Sequence, residues 1–65
     1  MEQRIVIDPN ICGGRPILRG TRITVRTVLE FLGAGDSIED VLGAHPTLNR
    51  DDVLACLRFS ANNTL

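Results

Sequence analysis

The sequence has no lysine, a single histidine, two widely separated cysteines and no long apolar run, and each shortage removes a class of function. Metal ligation needs three or four convergent donors. Cys12 and Cys56 lack CxxC spacing and have only His45 to join them, so neither a metal site nor a cofactor is expected. Nothing pairs Cys56 or Ser60 with a general base, so no catalytic residue is assigned and the chain is not expected to be an enzyme by itself. Gly13-Gly14-Arg15-Pro16 lacks the Lys-Ser/Thr ending of a phosphate-binding P-loop, which leaves nucleotide binding without support. With no apolar run of membrane-spanning length and no signal peptide, the chain is expected in the cytoplasm, thiols reduced and away from membranes.

What is present is a short chain with polarised charge. Sixty-five residues suit one domain over residues 1–65, and a core of that size supplies only about 3–5 kcal/mol of net stability. Without disulfides or metal, self-association is the remaining support, so a homodimer is expected. Every basic residue is arginine. The first 26 residues hold Arg4, Arg15, Arg19, Arg22 and Arg26 against Glu2 and Asp8, a net of +3. The remainder holds Arg50 and Arg58 against Glu30, Asp36, Glu39, Asp40, Asp51 and Asp52, a net of −4. Arginine suits bidentate contact with phosphate or carboxylate, although a genome that prefers arginine codons explains the same usage.

The chain divides at residue 23. Residues 1–23 read as an extended, arginine-rich segment: a short edge strand at Arg4–Ile7, a turn at Asp8-Pro9-Asn10, a glycine-proline loop, and a second extended piece at Ile17-Leu18. Residues 24–62 read as three helices. Thr24 caps the first, whose stripe is Val25, Val28, Leu29 and Leu32, and Gly33 and Gly35 end it. Ser37 and Asp40 form a capping box for the second, with Ile38, Val41 and Leu42 on one face; Gly43 and His45-Pro46 end it, the histidine satisfying carbonyls there. Asn49 and Asp52 begin the third, whose core stripe is Val53, Cys56, Leu57 and Ser60, widened by Leu54 and Ala61. Its outward face would carry Asp51, Ala55, Arg58 and Asn62, and the helix should end near Asn62 with fraying beyond. About five residues join the last two helices, a length found in helix-turn-helix corners and in plain bundles alike.

The run Ile7-Asp8-Pro9, then Gly14-Arg15-Pro16-Ile17-Leu18-Arg19-Gly20-Thr21-Arg22-Ile23-Thr24-Val25, strongly resembles the domain of unknown function 433 family. Gly35 with Ser37-Ile38-Glu39-Asp40, then Pro46, Leu48, Asp52-Val53, Ala55 and Leu57, extend the resemblance from about Ile5 to Ala61. Asn49 stands where the family usually has threonine or serine, and Phe59 where tyrosine is common. The resemblance implies a mainly α fold, a three-helix homeodomain-like helix-turn-helix domain with short N-terminal β-strands. It further implies a prokaryotic antitoxin-like regulator of the VapB kind, which binds and neutralises a PIN-type nuclease toxin and represses its own promoter by binding operator DNA. The alternative is a homodimeric protein-interaction module with no nucleic-acid contact.

Candidate residues follow from both. For DNA they are Arg15, Arg19, Thr21, Arg22, Arg26 and Arg58, with the Arg19–Arg22 turn able either to grip phosphates or to bond carbonyls and acids of its own chain. Asp51 and Asp52 make the start of the third helix a poor reader of bases. The Gly13-Gly14 loop is either an anion-holding nest or a plain chain reversal. Candidate interface residues are Ile5 and Ile7 on the strand, with Phe31 and Phe59, which fall off the core stripes of their helices. The acidic helical half favours a protein partner with a basic surface, such as the substrate groove of an RNA-cleaving enzyme.

Overall fold

A computed structural model describes residues 3–62. The chain runs β1 (Ile5–Val6), a 3-10 turn (Cys12–Gly14), β2 (Ile17–Leu18), α1 (Val25–Gly33), α2 (Ile38–Ala44) and α3 (Arg50–Asn62). The fold is mainly helical: three helices with a two-stranded antiparallel sheet at the N-terminal end. The fraying expected beyond Asn62 falls outside the described residues.

Each helix starts where a polar side chain satisfies the orphan amides of its first turn. Thr24 Oγ1 accepts from the Thr27 amide at 3.1 Å. Ser37 and Asp40 exchange bonds as a capping box, Asp40 N to Ser37 Oγ at 3.1 Å and Ser37 N to Asp40 Oδ2 at 2.9 Å. Asn49 and Asp52 repeat this for α3, both bonds at 3.0 Å, with asparagine in place of serine. The C-terminal ends depart from expectation. Gly33 is the last residue of α1, Ala34 caps it, and Gly35 alone takes the left-handed conformation, at φ +98°. Gly43 lies inside α2, which runs on to Ala44.

Between the strands the chain reverses in two steps. The Asp8 carboxylate accepts from the Asn10 amide at 2.9 Å and fixes the Asp-Pro-Asn turn. Cys12, Gly13 and Gly14 then take φ of +52°, +67° and +82°, a left-handed turn in which Cys12 is the one described non-glycine residue with positive φ. The register pairs Ile5 with Leu18 and Val6 with Ile17, and Ile17 bridges on its other side to Thr24. The strands therefore lead directly into the cap of α1.

The core holds Ile5, Leu18, Val25, Val28, Val41, Leu48, Val53, Ala55 and Cys56, a set dominated by valine. Expectations for Ile5, for the face of α3 and for His45 are corrected here. Ile5, a candidate interface residue, is 8% exposed because its partner Leu18 carries it into the core; Ile7, at 63%, does lie open. Ala55 is completely buried while Leu57 is 42% exposed and Ala61 is exposed, so the inner face of α3 is rotated away from Leu57 and toward Ala55 relative to the expected stripe. α3 packs against both α1 and α2, and the small Ala55 lies in that packed face. The same rotation brings Phe59 against the core, and Phe31 packs there too. His45 donates its backbone amide to Val41 O at 2.9 Å, but its side chain satisfies no carbonyl: the ring stands edge-on to Phe31 at 5.5 Å and its buried Nε2 has no partner.

Candidate functional site

The arginines divide into those that hold the fold and those that do not. Arg4, next to β1, reaches across to the start of α3, with Nη1 3.1 Å from Asp52 Oδ1 and Nη2 3.6 Å from Asp51 Oδ2. Asp52 thereby caps α3 and anchors the strand at once. Arg50 pairs with Glu39 at 2.8 Å, tying α3 to α2, and Arg26 pairs with Glu30 at 3.2 Å along α1. With Asp40 taken up in the α2 cap, most of the acidic half faces its own arginines or amides. Glu30, Glu39 and Asp51 nonetheless stay exposed, at 66%, 72% and 68%.

The Asp40 carboxyl lies below its ordinary 3.8, chiefly because the Ser37 backbone amide donates to it, with the Ser37 hydroxyl contact adding to the effect. Its role is structural.

Arg15, Arg19 and Arg22 are exposed, and among the described residues none has a carboxylate within ion-pair distance. They are nonetheless placed. Arg15 Nε donates to Cys12 O at 2.9 Å, and the Cys12 thiol donates to Arg22 O at 3.3 Å, so the left-handed turn gathers Arg15 and Arg22 around one residue. Arg19 is held at the end of the strand pair where β1 begins, its backbone amide on Arg4 O at 2.8 Å and its Nε on Gln3 O at 2.9 Å. The Thr21 hydroxyl donates to Leu18 O at 2.8 Å and accepts from the Ile23 amide at 3.0 Å, so it shapes the turn and is not presented to a ligand. Arg58 lies exposed on α3.

The anion-nest reading loses its donors, since the Gly14 and Arg15 amides bond to Ile11 O and Cys12 O at 3.0 and 3.3 Å. The Gly13-Gly14 loop is a chain reversal. At α3, the Arg4 bridge lies over the acidic first turn that a groove-reading helix would have to present.

Residues of α1 and α3, with Arg15 and Pro16 after the Cys12 turn, line an apolar trough of about 640 Å³. Pro16, Val25, Leu29 and Phe59 supply its apolar surface. Arg15, Arg26 and Glu30 stand on its rim. Phe59 thus lines a concave surface at the edge of the core, while Ile7 and Phe31 lie elsewhere. Sequence patterning missed the trough because it joins a loop proline to two helices distant in sequence. The available signals were Leu29 and Phe59, apolar side chains that the packing leaves half-buried.

A family model described as "Protein of unknown function (DUF433)" matches residues 5–60. The chain belongs to the DUF433 family. It is similar to the uncharacterized protein y4eO of Sinorhizobium fredii, with 39% identity over 59 residues that make up 89% of this chain and 27% of that protein. Its fold is similar to the crystal structure of a DUF433 member protein from Anabaena variabilis, with a TM-score of 0.88 and 32% identity over 92% of this chain and 59% of that one. The chain thus spans about a quarter of the curated relative and three-fifths of the solved one, and the DUF433 unit accounts for the shared part. Among the described residues of this DUF433 chain no helix is long and apolar enough to cross a membrane.

Proposed function

We propose that this DUF433 chain is a non-enzymatic, antitoxin-like regulator that works by binding a protein, and that the protein is a PIN-type nuclease. The observation that carries this reading is the apolar trough between α1 and α3 with its arginine rim, a concave surface suited to a protein's side chains. The exposed guanidiniums of Arg15 and Arg22 fit such a partner, because metal-dependent nucleases gather carboxylates at the reacting centre. The test is an RNA-cleavage assay with the nuclease encoded beside this chain. Stoichiometric suppression of cleavage together with co-purification supports the proposal; full cleavage at excess chain, with no complex on a sizing column, overturns it.

Operator binding is the second reading, favoured by the exposed Arg15, Arg19 and Arg22 without carboxylate partners. Titration of DNA from upstream of the gene, against a scrambled duplex over a salt series, decides it. Specific binding that weakens with salt and with Arg19→Ala and Arg22→Ala supports an autorepressor; equal binding to both duplexes removes that role.

A homodimer is part of the same proposal, supported by the open Ile7 beside a small core. Sedimentation at micromolar concentration tests it, and a monomer there excludes it.

A further inference from the structure

The trough carries apolar surface and unneutralised charge side by side, and that combination selects among partners. A phosphodiester backbone would satisfy the arginines but leave Pro16, Leu29 and Phe59 uncovered. A purely apolar segment would cover those three and leave Arg15 beside it without a counter-charge. On the rim, Arg26 already has Glu30 at 3.2 Å, whereas Arg15 has no carboxylate among the described residues and its Nε is tied to Cys12 O. That tie fixes the guanidinium at the mouth of the trough, where its Nη groups can meet an incoming carboxylate in fork geometry. A second copy of the chain is a poorer match, because Glu30, Glu39, Asp51 and Asp52 already pair with Arg26, Arg50 and Arg4, and among the described residues only Asp8 and Asp36 are carboxylates that neither pair with an arginine nor serve in a helix cap.

We propose that the trough seats an amphipathic helix of the partner protein, placing an aliphatic or aromatic side chain against Leu29 and Phe59 and a carboxylate on Arg15. A surface that lies between two helices suits a third helix, read through residues spaced three and four apart. This rests on the protein-binding reading above and adds the chemistry of the partner: acidic and apolar on one face.

The test uses the full chain, labelled with nitrogen-15, and two synthetic helical peptides that share a leucine ridge. One carries glutamates beside the ridge, the other lysines. The acidic peptide should shift the amide resonances of Thr24, Val25 and Leu29 and bind about tenfold tighter than the basic one. Arg15→Glu, at an exposed position outside the core, should reverse that preference, and Arg15→Gln should abolish it with the fold checked by circular dichroism. Shifts confined to other surfaces, equal affinity for both peptides, or no shift at millimolar peptide each overturn the assignment. So does a DNA duplex that moves the same resonances at lower concentration, or a wild-type chain that fills the trough by self-association. The two proposals fail separately. A nuclease silenced equally by wild type and Arg15→Glu overturns the trough assignment and leaves the function standing. Acidic-peptide binding without any nuclease complex overturns the partner's identity and keeps the trough.

Discussion

The bridge from Arg4 to Asp52 spans 48 positions of sequence, and its removal has a calculable cost. Asp52 makes two kinds of interaction. It completes the reciprocal cap with Asn49, worth about 1 kcal/mol, and its carboxylate at the start of α3 takes the Arg4 guanidinium at 3.1 Å. The side chains are 15% exposed for Asp52 and 42% for Arg4, so the pair belongs near the upper end of surface ion pairs, about 1 kcal/mol. Asp52→Ala should therefore cost about 2 kcal/mol and Arg4→Ala about 1 kcal/mol. In a domain whose core supplies about 3–5 kcal/mol, the first change removes roughly half the stability and lowers the melting temperature by roughly 10 °C.

A double-mutant cycle isolates the bridge. The double variant should cost about 2 kcal/mol, less than the two single costs added, because the pair can be lost only once. The difference should shrink at about 1 M salt, where charges are screened over about 3 Å, while the cap contribution persists. Urea melts of the four proteins at low and high salt supply every number needed. Costs that add to within about 0.3 kcal/mol would show that Arg4 and Asp52 do not hold the strand pair to α3, and the anchored N-terminal segment would have to be given up.

Three further outcomes follow. Ala55→Glu should unfold the chain, at about 3 kcal/mol or more for a buried unpaired carboxylate, whereas Leu57→Glu should stay within about 0.5 kcal/mol; equal effects in thermal melts would refute the rotated face of α3. Gly13→Ala should cost about 1 kcal/mol from backbone strain alone, since no atom lies within 4 Å of an added Cβ, and Gly43→Ala inside α2 should stabilise by about as much; both signs are read from urea midpoints. A carboxyl with a folded pKa below its unfolded one binds fewer protons when folded, so the Asp40 contribution is fullest above 3.8 and is lost as pH falls through the lowered value. Asp40→Asn should thus be less stable than wild type at neutral pH and match it in acid; a gap independent of pH would refute this.

What could be read from the sequence was local. The caps of all three helices were legible because Thr24, Ser37 with Asp40, and Asn49 with Asp52 act within four residues of chain. The Asp8 turn and the two strands were legible for the same reason. The face of α3 was not, because its orientation depends on where α1 and α2 stand, and Leu57 fits the helical period better than Ala55 does. Cys12 gave no sign of a left-handed backbone, since only its two glycine neighbours carry that signal. The trough and the Arg4 bridge are products of tertiary assembly. The capped helices therefore emerged from the sequence more surely than the trough between α1 and α3.

The geometry also bears on why every basic residue is arginine. Arg15, Arg19 and Arg26 each commit the Nε group to an internal acceptor, Cys12 O, Gln3 O and the Glu30 carboxylate respectively. A guanidinium has two further nitrogens with which to meet a ligand in fork geometry, whereas a lysine that made the same bond would keep two N–H groups on the nitrogen already engaged. At these positions arginine fixes itself and remains able to bind. Codon preference accounts for the number of arginines without accounting for this repeated use of Nε. The internal bonds also distinguish the segment from a free basic arm. Arg15 and Arg22 are assembled around the Cys12 turn, and Arg15 also lines the apolar trough, so charge and apolar surface meet at that residue.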